Sequence, residues 1–359
     1  MTAARRTNVG PGFPPSLPFG EARRTARRRS GSLAIVGPGF SLAIVVMALL
    51  TAGPAAAQDR PRPAEPPVSG ALETLHVQGN VWLIAGAGGN IAVQAGEQGV
   101  IVVDTGAIEM GDAVIAAIAA LTDQPIRYII NTSIAPQHVG GNAALASLPG
   151  GSTSGVEGGA LVSVLAQENV FIKMSRPGPD GVPPFPVEAW PSDGYYAPRR
   201  GMIFNGEAID VIHMPNAHSD GDSAVYFRGS NVLVAGDIFT TTGLPLIDYA
   251  EGGSFAGLVD ALNGMLDIAI SDDLMEGGTY VIPGHGYVAD EADLVEYRDM
   301  AFIVRERLRQ MIVEDGLSLD EVKAARPVIG WEARYGQPRW TVDMFIEAVY
   351  DEFVQERAQ

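Results

Sequence analysis

The sequence predicts a four-layer αβ/βα sandwich, an α/β fold in which two β-sheets face each other and helices cover both outer surfaces. Short apolar runs separated by glycine turns recur in two series, residues 81–131 and 202–235, as is typical of strands. Helical spacing of apolar residues accompanies each series, at 111–121 and at 254–270. No repeat of about 20 to 50 residues is present, so a solenoid is not expected.

The first half begins near Leu72, and its order of elements indicates layered α/β architecture. The glycine-rich turn at 86–90 (GAGGN) joins two strands as a hairpin, because it lacks the Gly-Lys-Ser/Thr ending of a phosphate loop. The helix at 111–121 separates the last two strands of this half. The predicted strands are 81–84 (VWLI), 91–94 (IAVQ), 99–104 (GVIVVD) and 126–131 (IRYIIN).

The segment 150–200 is rich in glycine and proline, and we expect it to be irregular around one helix near 158–169. We therefore expect a domain over 72–290 and a C-terminal helical extension, 291–359, packed on the same domain. The strands predicted for the second half are 202–204, 208–213, 223–227 and 232–235. The helices predicted there are 254–270, 290–315 and 341–355.

Residues 1–57 have the features of an export signal. An arginine-rich stretch up to Arg29 forms a basic n-region, and 41–53 (SLAIVVMALLTAG) is an apolar run too short to span a bilayer comfortably. The small residues Ala55–Ala57 suit a signal peptidase. We expect cleavage after them, a proline-rich linker over 58–71, a periplasmic or secreted location and no stable membrane span afterwards. An uncleaved anchor and twin-arginine export are the alternatives.

Composition excludes several kinds of site and partner. The chain has no cysteine, so disulfides, thiolate zinc sites and cysteine nucleophiles are ruled out. The formal net charge is −18; residues 1–57 hold seven arginines and one acid, so the remainder carries −24. Because an acidic body repels nucleic acid and anionic membranes, we expect neither as a partner and expect a small-molecule substrate or ligand instead.

The stretch most informative about function is 131–142, which reads NTSIAPQHVGGN. It resembles NTHxHxDHxGGN, the signature loop of the metallo-β-lactamase superfamily. The flanking residues match the signature. Inside it, Ser133, Ala135 and Gln137 stand where two histidines and an aspartate are expected, and His138 is retained.

Four further segments carry the same resemblance in the expected order. Together with the altered loop they indicate the metallo-β-lactamase fold over most of the chain after residue 72. Asn142, the HSDGD segment and the run IDYAEGGS at 247–254 are most similar to the β-lactamase-like branch. The four segments are 102–106 (VVDTG), 218–223 (HSDGDS), 236–239 (GDIF) and 283–286 (PGHG).

The resemblance implies two metal sites, of which the first requires three imidazoles. Ser133 and Ala135 replace two of them and leave His218 alone, so we expect the first site to be empty. The second site retains His138, Asp237 and His285, a set of two imidazoles and one carboxylate that suits Zn²⁺ or Fe²⁺. We therefore predict at most one weakly held Zn²⁺, with no bound metal as the alternative.

Other polar residues near the motifs have two interpretations each. Gln137 could add a carbonyl oxygen to the metal or only donate a hydrogen bond, and His218 could serve as a further ligand. Asp104 is implied to orient the histidine loop through hydrogen bonds rather than to bind metal. Asp222 is either a similar supporting residue or an ordinary turn residue. Asp237 could instead cap a turn.

Two functional hypotheses follow from the residues and the resemblance. The first is a metal-dependent hydrolase, β-lactamase-like, that opens a cyclic amide or ester by metal-bound hydroxide, with β-lactams implied and lactones or thioesters as alternatives. The second is a catalytically inactive pseudoenzyme that binds a ligand or partner through the same pocket. Loss of three ligands favours the second, and survival of four polar groups favours the first. Redox chemistry ranks last, because it would require the missing ligands.

Overall fold

A computed structural model describes Arg60 and residues 71–150 and 161–358. The predicted export signal, 1–57, lies outside the described residues, and so does most of the predicted linker, 58–71. Arg60 is the one linker residue before position 71 that is described. Its guanidinium lies 3.9 Å from the centre of the Tyr249 ring and donates to the carbonyl of Ala348 at 3.1 Å.

The first sheet has seven strands in sequential order. Its first four strands pair antiparallel, and each neighbouring pair from β4 to β7 is parallel. The carboxyl ends of β4 and β5 therefore meet at one edge, where ligands bind in open α/β sheets. The strands are β1 Glu73–Gln78, β2 Val81–Ala87, β3 Gly89–Gly96, β4 Gly99–Val103, β5 Ile126–Ile130, β6 Ser163–Gln167 and β7 Asp193–Tyr195.

The second sheet has five strands in the order β12-β11-β10-β9-β8. Its neighbours pair antiparallel except for β11 and β12, which are parallel. Both of these strands end in a segment predicted to supply a metal ligand. The strands are β8 Arg199–Phe204, β9 Glu207–His213, β10 Ser223–Phe227, β11 Val232–Thr240 and β12 Tyr280–His285.

Helices cover the outer faces of both sheets. Helix α6 continues into a π-helix over Gln310–Glu314, where i→i+5 hydrogen bonds replace the α-helical ones. The α-helices are α1 Gly111–Leu121, α2 Pro136–Val139, α3 Asn142–Ala146, α4 Glu168–Ser175, α5 Phe255–Leu266, α6 Glu291–Arg309, α7 Leu319–Ala325, α8 Glu332–Tyr335 and α9 Val342–Arg357.

Alternation along β4 shows how the first two layers form. Successive side chains of a strand point to opposite faces, and all five residues of β4 are buried. Ile101 and Val103 join the core between the sheets, whereas Val100 and Val102 join the core shared with α1. Such a strand, buried on both faces, is expected where helices cover the outer side of a parallel sheet.

The same alternation along β11 builds the other two layers. Val232 and Val234 enter the inter-sheet core, whereas Leu233 and Ala235 pack in the outer core. That outer core also contains buried residues of α5, α6 and α9. The order of layers is therefore helix, sheet, sheet, helix, and the predicted four-layer αβ/βα sandwich is confirmed.

Two strands of the middle segment, β6 and β7, were not predicted. The helix expected near 158–169 is wrong over Ser163–Gln167, which is β6 and pairs parallel with β5. The helix begins only at Glu168, and residues 151–160 lie outside the described part of the chain. The glycine and proline residues around β6 indicated irregular structure. This strand is too short to show a periodic pattern of its own, and its parallel pairing with β5 defines it.

Among the residues that the structure describes, no helix is both long enough and apolar enough to cross a membrane.

Candidate metal centre

Asp104 occupies the first position after β4 and has a left-handed backbone, with φ of 63°. Its carboxylate accepts hydrogen bonds from the backbone N–H of Thr132 at 2.8 Å and from the Thr132 hydroxyl at 2.6 Å. Asp104 therefore ties the end of β4 to the loop that follows β5. Asparagine and aspartate tolerate this backbone region better than most residues.

His138 lies on the short helix α2 and is fully buried. Its Nδ1 lies 2.7 Å from Oδ2 of Asp104, and its Nε2 lies 2.9 Å from Oδ1 of Asp237. The backbone carbonyl of His138 also accepts hydrogen bonds from the N–H and hydroxyl of Thr105. Both ring nitrogens thus face carboxylates contributed by different sheets.

Asp237 lies within β11, directly after Gly236, where the register with β12 shifts. Its Oδ1 lies 3.3 Å from Nε2 of His285, the last residue of β12. Asn90 holds the turn after β12, because its side-chain amide donates to the carbonyls of Pro283 and Gly286 at 2.9 and 3.0 Å. The His285 side chain is 21% exposed and reaches solvent.

His218 approaches Asp237 from the opposite side. Its Nε2 lies 3.6 Å from Oδ2 of Asp237, and its Nδ1 lies 3.1 Å from the carbonyl oxygen of Leu246. The turn after His218 is closed by Asp222, whose carboxylate accepts hydrogen bonds from the backbone N–H and hydroxyl of Ser219. Asp222 therefore supports the turn that carries His218 and forms no hydrogen bond with the histidine itself.

His138 and Asp237 shift each other's pKa toward the charged forms. Burial lowers the pKa of His138, but the carboxylates of Asp237 and Asp104 outweigh it, so the pKa is raised well above its usual value. Burial raises the pKa of Asp237, but the imidazoles of His138 and His218 outweigh it, so the pKa is well below its usual value. The two carboxylates therefore favour the protonated ring of His138, and a metal ion that binds this residue would compete with that proton.

His218 and Asp222 also have altered proton affinities. Burial lowers the pKa of His218, but Asp237, Asp222 and Asp248 together raise it above the usual value. Burial raises the pKa of Asp222 to about 6, although the nearby charge of His218 and the hydrogen bonds from Ser219 oppose this. Three carboxylates therefore lie close enough to His218 to raise its pKa.

The donor atoms of three residues fit a single metal ion. Within the described residues, one ligand atom from each of His138, Asp237 and His285 lies within 4.8 Å of the other two. Oδ1 of Asp237 is the oxygen that faces both His138 and His285; Oδ2 is buried, has no hydrogen-bond partner among the described residues and lies 3.6 Å from Nε2 of His218. Two imidazoles and one carboxylate form a donor set that suits Zn²⁺. No ion is part of the structure.

The other residues considered in the sequence analysis lie outside this set of three ligands. Gln137 is half-buried on α2, and the described part of the chain offers its side chain no hydrogen-bond partner. Ser133 and Ala135 are buried, and the Ser133 hydroxyl accepts a hydrogen bond from the N–H of Ala135 at 3.2 Å. His76 and His213 lie away from this cluster, and each ring bonds a backbone carbonyl, of Gly79 and Asp220 respectively.

Three supporting groups were not predicted from the sequence, namely Asn90, Thr132 and the carbonyl of Leu246. Asn90 is the last residue of the GAGGN run, which the sequence predicts as a turn, and it belongs to β3 in the structure. Thr132 lies inside the signature loop, directly before Ser133, and this position could have suggested a supporting role for it. A backbone carbonyl has no sequence signal, because every residue carries one.

Histidine and carboxylate side chains that converge at the strand ends of an αβ/βα sandwich are typical of metallo-hydrolases with this fold. A family model described as the metallo-beta-lactamase superfamily matches residues 76–285. Because that match covers more than half of the chain, the protein belongs to the metallo-beta-lactamase superfamily. A search of curated protein sequences found no match.

Solved structures provide further comparisons. The stereoselective inverting sec-alkylsulfatase Pisa1 from Pseudomonas sp. is similar over 79% of this chain and 50% of its own, with 15% identity and a TM-score of 0.58. A double mutant of the same sulfatase gives 14% identity and a TM-score of 0.60 over the same shares. The chain thus spans about half the length of these sulfatases, and the likeness concerns the fold alone.

A metallo-beta-lactamase from Pontibacter korlensis is similar over 65% of this chain and 99% of its own, with 16% identity and a TM-score of 0.48.

Proposed function

We propose that this protein is an exported metallo-hydrolase with a single weak Zn²⁺ site on His138, Asp237 and His285, acting on a cyclic amide or ester. The observation that carries the proposal is the convergence of these three side chains from α2, β11 and β12 within 4.8 Å of one another. Strands from one sheet and a loop from the other supply the ligands, so the site forms only when the sandwich closes.

Each residue has a distinct task in this proposal. His138, Asp237 and His285 would hold the ion, with His218 and Gln137 as further candidate ligands. When bound, Zn²⁺ would supply a Lewis acid and lower the pKa of a coordinated water. Asp104 orients His138 through its Nδ1, as carboxylates do for metal-binding histidines in general. Asp222 fixes the turn that carries His218.

The substrate class rests on the family and on the chemistry of the donors. A β-lactam or lactone contains a carbonyl that a Lewis acid polarises and a ring that opens when water attacks. Because Ser133 and Ala135 cannot replace the two missing imidazoles, we expect slow turnover. Export through the signal at 1–57, to the periplasm or the medium, is part of the same proposal.

A pseudoenzyme is the alternative that one observation favours. Both ring nitrogens of His138 form hydrogen bonds with carboxylates, Nδ1 with Asp104 and Nε2 with Asp237. A metal ion would have to compete with the Asp237 contact for Nε2, and without a bound ion the pocket could bind a ligand without turnover.

Elemental analysis of the purified chain after zinc loading tests the proposal. We expect about one zinc per chain, lost in His138→Ala and in His285→Ala and retained in His76→Ala. A screen of lactams, lactones and thioesters with and without a strong chelator then follows. Absence of zinc from the unmodified chain would overturn the hydrolase and favour the pseudoenzyme, and intact mass spectrometry of the exported chain tests cleavage after Ala57.

A further inference from the structure

A cavity of about 250 Å³ lies between the start of α4 and the end of β7, and its lining includes Glu168, Phe171, Tyr195 and Tyr196. Because β7 is the edge strand of its sheet in the part of the chain that the structure describes, no further strand covers this side. None of the described lining residues is a ligand of the candidate metal centre. The cavity is therefore a second, separate candidate binding site.

Two of the three aromatic rings are held in place by the surrounding fold. The Phe171 ring packs in a T-shaped arrangement against Trp190, with the ring centres 6.2 Å apart and the planes at 82°. Trp190 is fixed in turn, because its indole N–H donates to the carbonyl of Phe185 at 3.0 Å. The hydroxyl of the buried Tyr195 forms a hydrogen bond with the Ser223 hydroxyl at 2.6 Å. These rings therefore form fixed walls.

Two of the rings are also exposed to solvent. Phe171 is 39% exposed and Tyr196, which directly follows β7, is 83% exposed. Single exposed apolar residues are common, but these two line one cavity together, and clustered exposure of that kind marks ligand-binding grooves. Because Tyr196 has few neighbours to restrain it, its ring can move over a ligand that enters between the fixed walls.

Glu168 gives the cavity a negative charge. It is the first residue of α4, three positions before Phe171, so the two side chains lie on one face of the helix. Among the described residues that line the cavity, none is a lysine, arginine or histidine. Lys173, the basic residue of α4, forms ion pairs with Asp220 and Glu251 instead. A cationic ligand would therefore meet no competing positive charge in the lining.

The charges around the cavity also favour a cation. On β7 itself, Asp193 is paired with Arg200 at 2.9 Å, so the charge of that carboxylate is compensated. Glu168 is the carboxylate that the described lining presents. The chain after residue 57 has a formal charge of −24, which attracts small cations to its surface.

We propose that this cavity binds a small alkylated ammonium ion of the trimethylammonium type. A ring face attracts a cation, and aromatic-lined cavities recognise quaternary ammonium groups for this reason. A primary ammonium would need acceptors for three N–H donors, whereas an alkylated one needs none, and the Tyr195 hydroxyl is already engaged by Ser223. The cavity is smaller than the roughly 300–1,000 Å³ of sites for drug-sized ligands, so it suits a group of this size.

Choline and 3,3-dimethylbutan-1-ol form a matched pair of probes, because a carbon atom of the alcohol replaces the charged nitrogen of choline. Calorimetry at low ionic strength measures the affinity of the purified chain for each. We expect choline to bind about tenfold more tightly, because ring faces and a carboxylate act on its charge. Equal affinity for the two probes, or no binding of choline, would overturn the ammonium site.

Variants of the two exposed rings locate the site. Phe171→Leu and Tyr196→Leu keep an apolar side chain but remove the ring, so each should reduce the preference for choline about two- to fivefold. Tyr196→Phe keeps the ring face and should retain the preference. Circular dichroism checks that each variant folds. A preference that survives both leucine variants would place the cation elsewhere and refute the assignment.

A second pair of variants tests the carboxylate. Glu168→Gln should weaken choline binding and reduce its dependence on salt, because the neutral amide exerts no screened attraction. Glu291→Gln is the matched control, since Glu291 is likewise the first residue of its helix, α6, and does not line the cavity. Equal effects of the two changes would show that choline responds only to the overall charge, which would contradict a site at Glu168.

The ammonium site does not depend on the proposed hydrolysis, and zinc separates the two. Choline should bind equally well to zinc-free chain, to zinc-loaded chain and to His138→Ala. Choline binding in a chain that takes up no zinc would refute the hydrolase and leave the ammonium site standing. Choline binding that is lost in His138→Ala would place the cation in the metal centre and refute the site between α4 and β7.

Discussion

Oδ2 of Asp104 and Nδ1 of His138 are 2.7 Å apart, and both side chains are excluded from solvent. The same carboxylate accepts hydrogen bonds from the backbone N–H and the hydroxyl of Thr132, so it positions both the loop and the imidazole. A carboxylate in this position sets which ring nitrogen is free to bind a metal, and here that nitrogen is Nε2.

Asp104→Asn should weaken zinc binding about 10–100-fold, because the amide cannot orient the imidazole as the carboxylate does. Asparagine keeps the left-handed backbone at this position acceptable, so the fold should persist. Zinc titration against a competing chelator measures the affinity, and circular dichroism measures folding. Asp112→Asn, on the exposed first turn of α1, is the control. An unchanged affinity would show that His138 needs no carboxylate partner.

Asp222→Asn should change how stability depends on pH. Burial raises the pKa of Asp222 to about 6, above the value of about 3.9 in an unfolded chain, so the fold favours the protonated form. The stability that this provides is complete below about pH 4 and is lost as the pH rises through about 6. Relative to Asp222→Asn, the unmodified chain should lose up to about 3 kcal/mol between these values.

Urea unfolding of metal-free protein at several pH values measures that difference. The Asp112→Asn control should follow the unmodified chain throughout. If the difference between Asp222→Asn and the unmodified chain stays constant with pH, the buried carboxyl does not titrate in this range.

Gly236→Ala should disturb the site through a clash rather than through lost chemistry. A Cβ at Gly236 would lie 2.5 Å from the hydroxyl and 2.7 Å from the Cβ of Thr132, which bonds Asp104. Gly236 also has φ of 54°, which costs an L-residue about 1–2 kcal/mol. Gly206→Ala is the matched control, because Gly206 has φ of 80° and a Cβ added there would meet no atom within 4 Å.

In Gly206→Ala the free energy of unfolding should fall only by the backbone cost. In Gly236→Ala it should fall by about 1–3 kcal/mol more. Urea unfolding at neutral pH compares the two free energies. Equal losses would mean that Thr132 moves aside without penalty.

Lys173→Met should loosen the segments around His218. The ammonium of Lys173 donates to Oδ1 of Asp220 and to the carbonyl of Glu251, both at 2.6 Å, and so joins α4 to two loops. Loss of these bonds should cost about 2 kcal/mol in unfolding free energy. The other lysine of the chain, Lys323, pairs with Glu347 between surface helices, and Lys323→Met should cost less than about 1 kcal/mol. Similar losses in both variants would contradict this role.

Apolar periodicity was sufficient to predict most of the fold. The run at 99–104 appears as a strand at nearly those bounds, because every residue of the strand is buried and a strand buried on both faces has no polar interruption. The strand predicted at 232–235 begins at Val232 but continues to Thr240, since the pattern of apolar residues breaks at Gly236 and Asp237 while the strand does not. The strand at Ser163–Gln167 was missed, since its position depends on pairing with β5 rather than on its own pattern.

The sequence by itself determined which residues compose the candidate site, since His138, His218, Asp237 and His285 stand at motif positions and two expected imidazoles do not. Only the tertiary structure decided how they face one another. The split of the two Asp237 oxygens and the hydrogen bond from His218 to Leu246 join residues that are far apart in sequence. Such distances depend on the packing of both sheets, and no local pattern of residues encodes them.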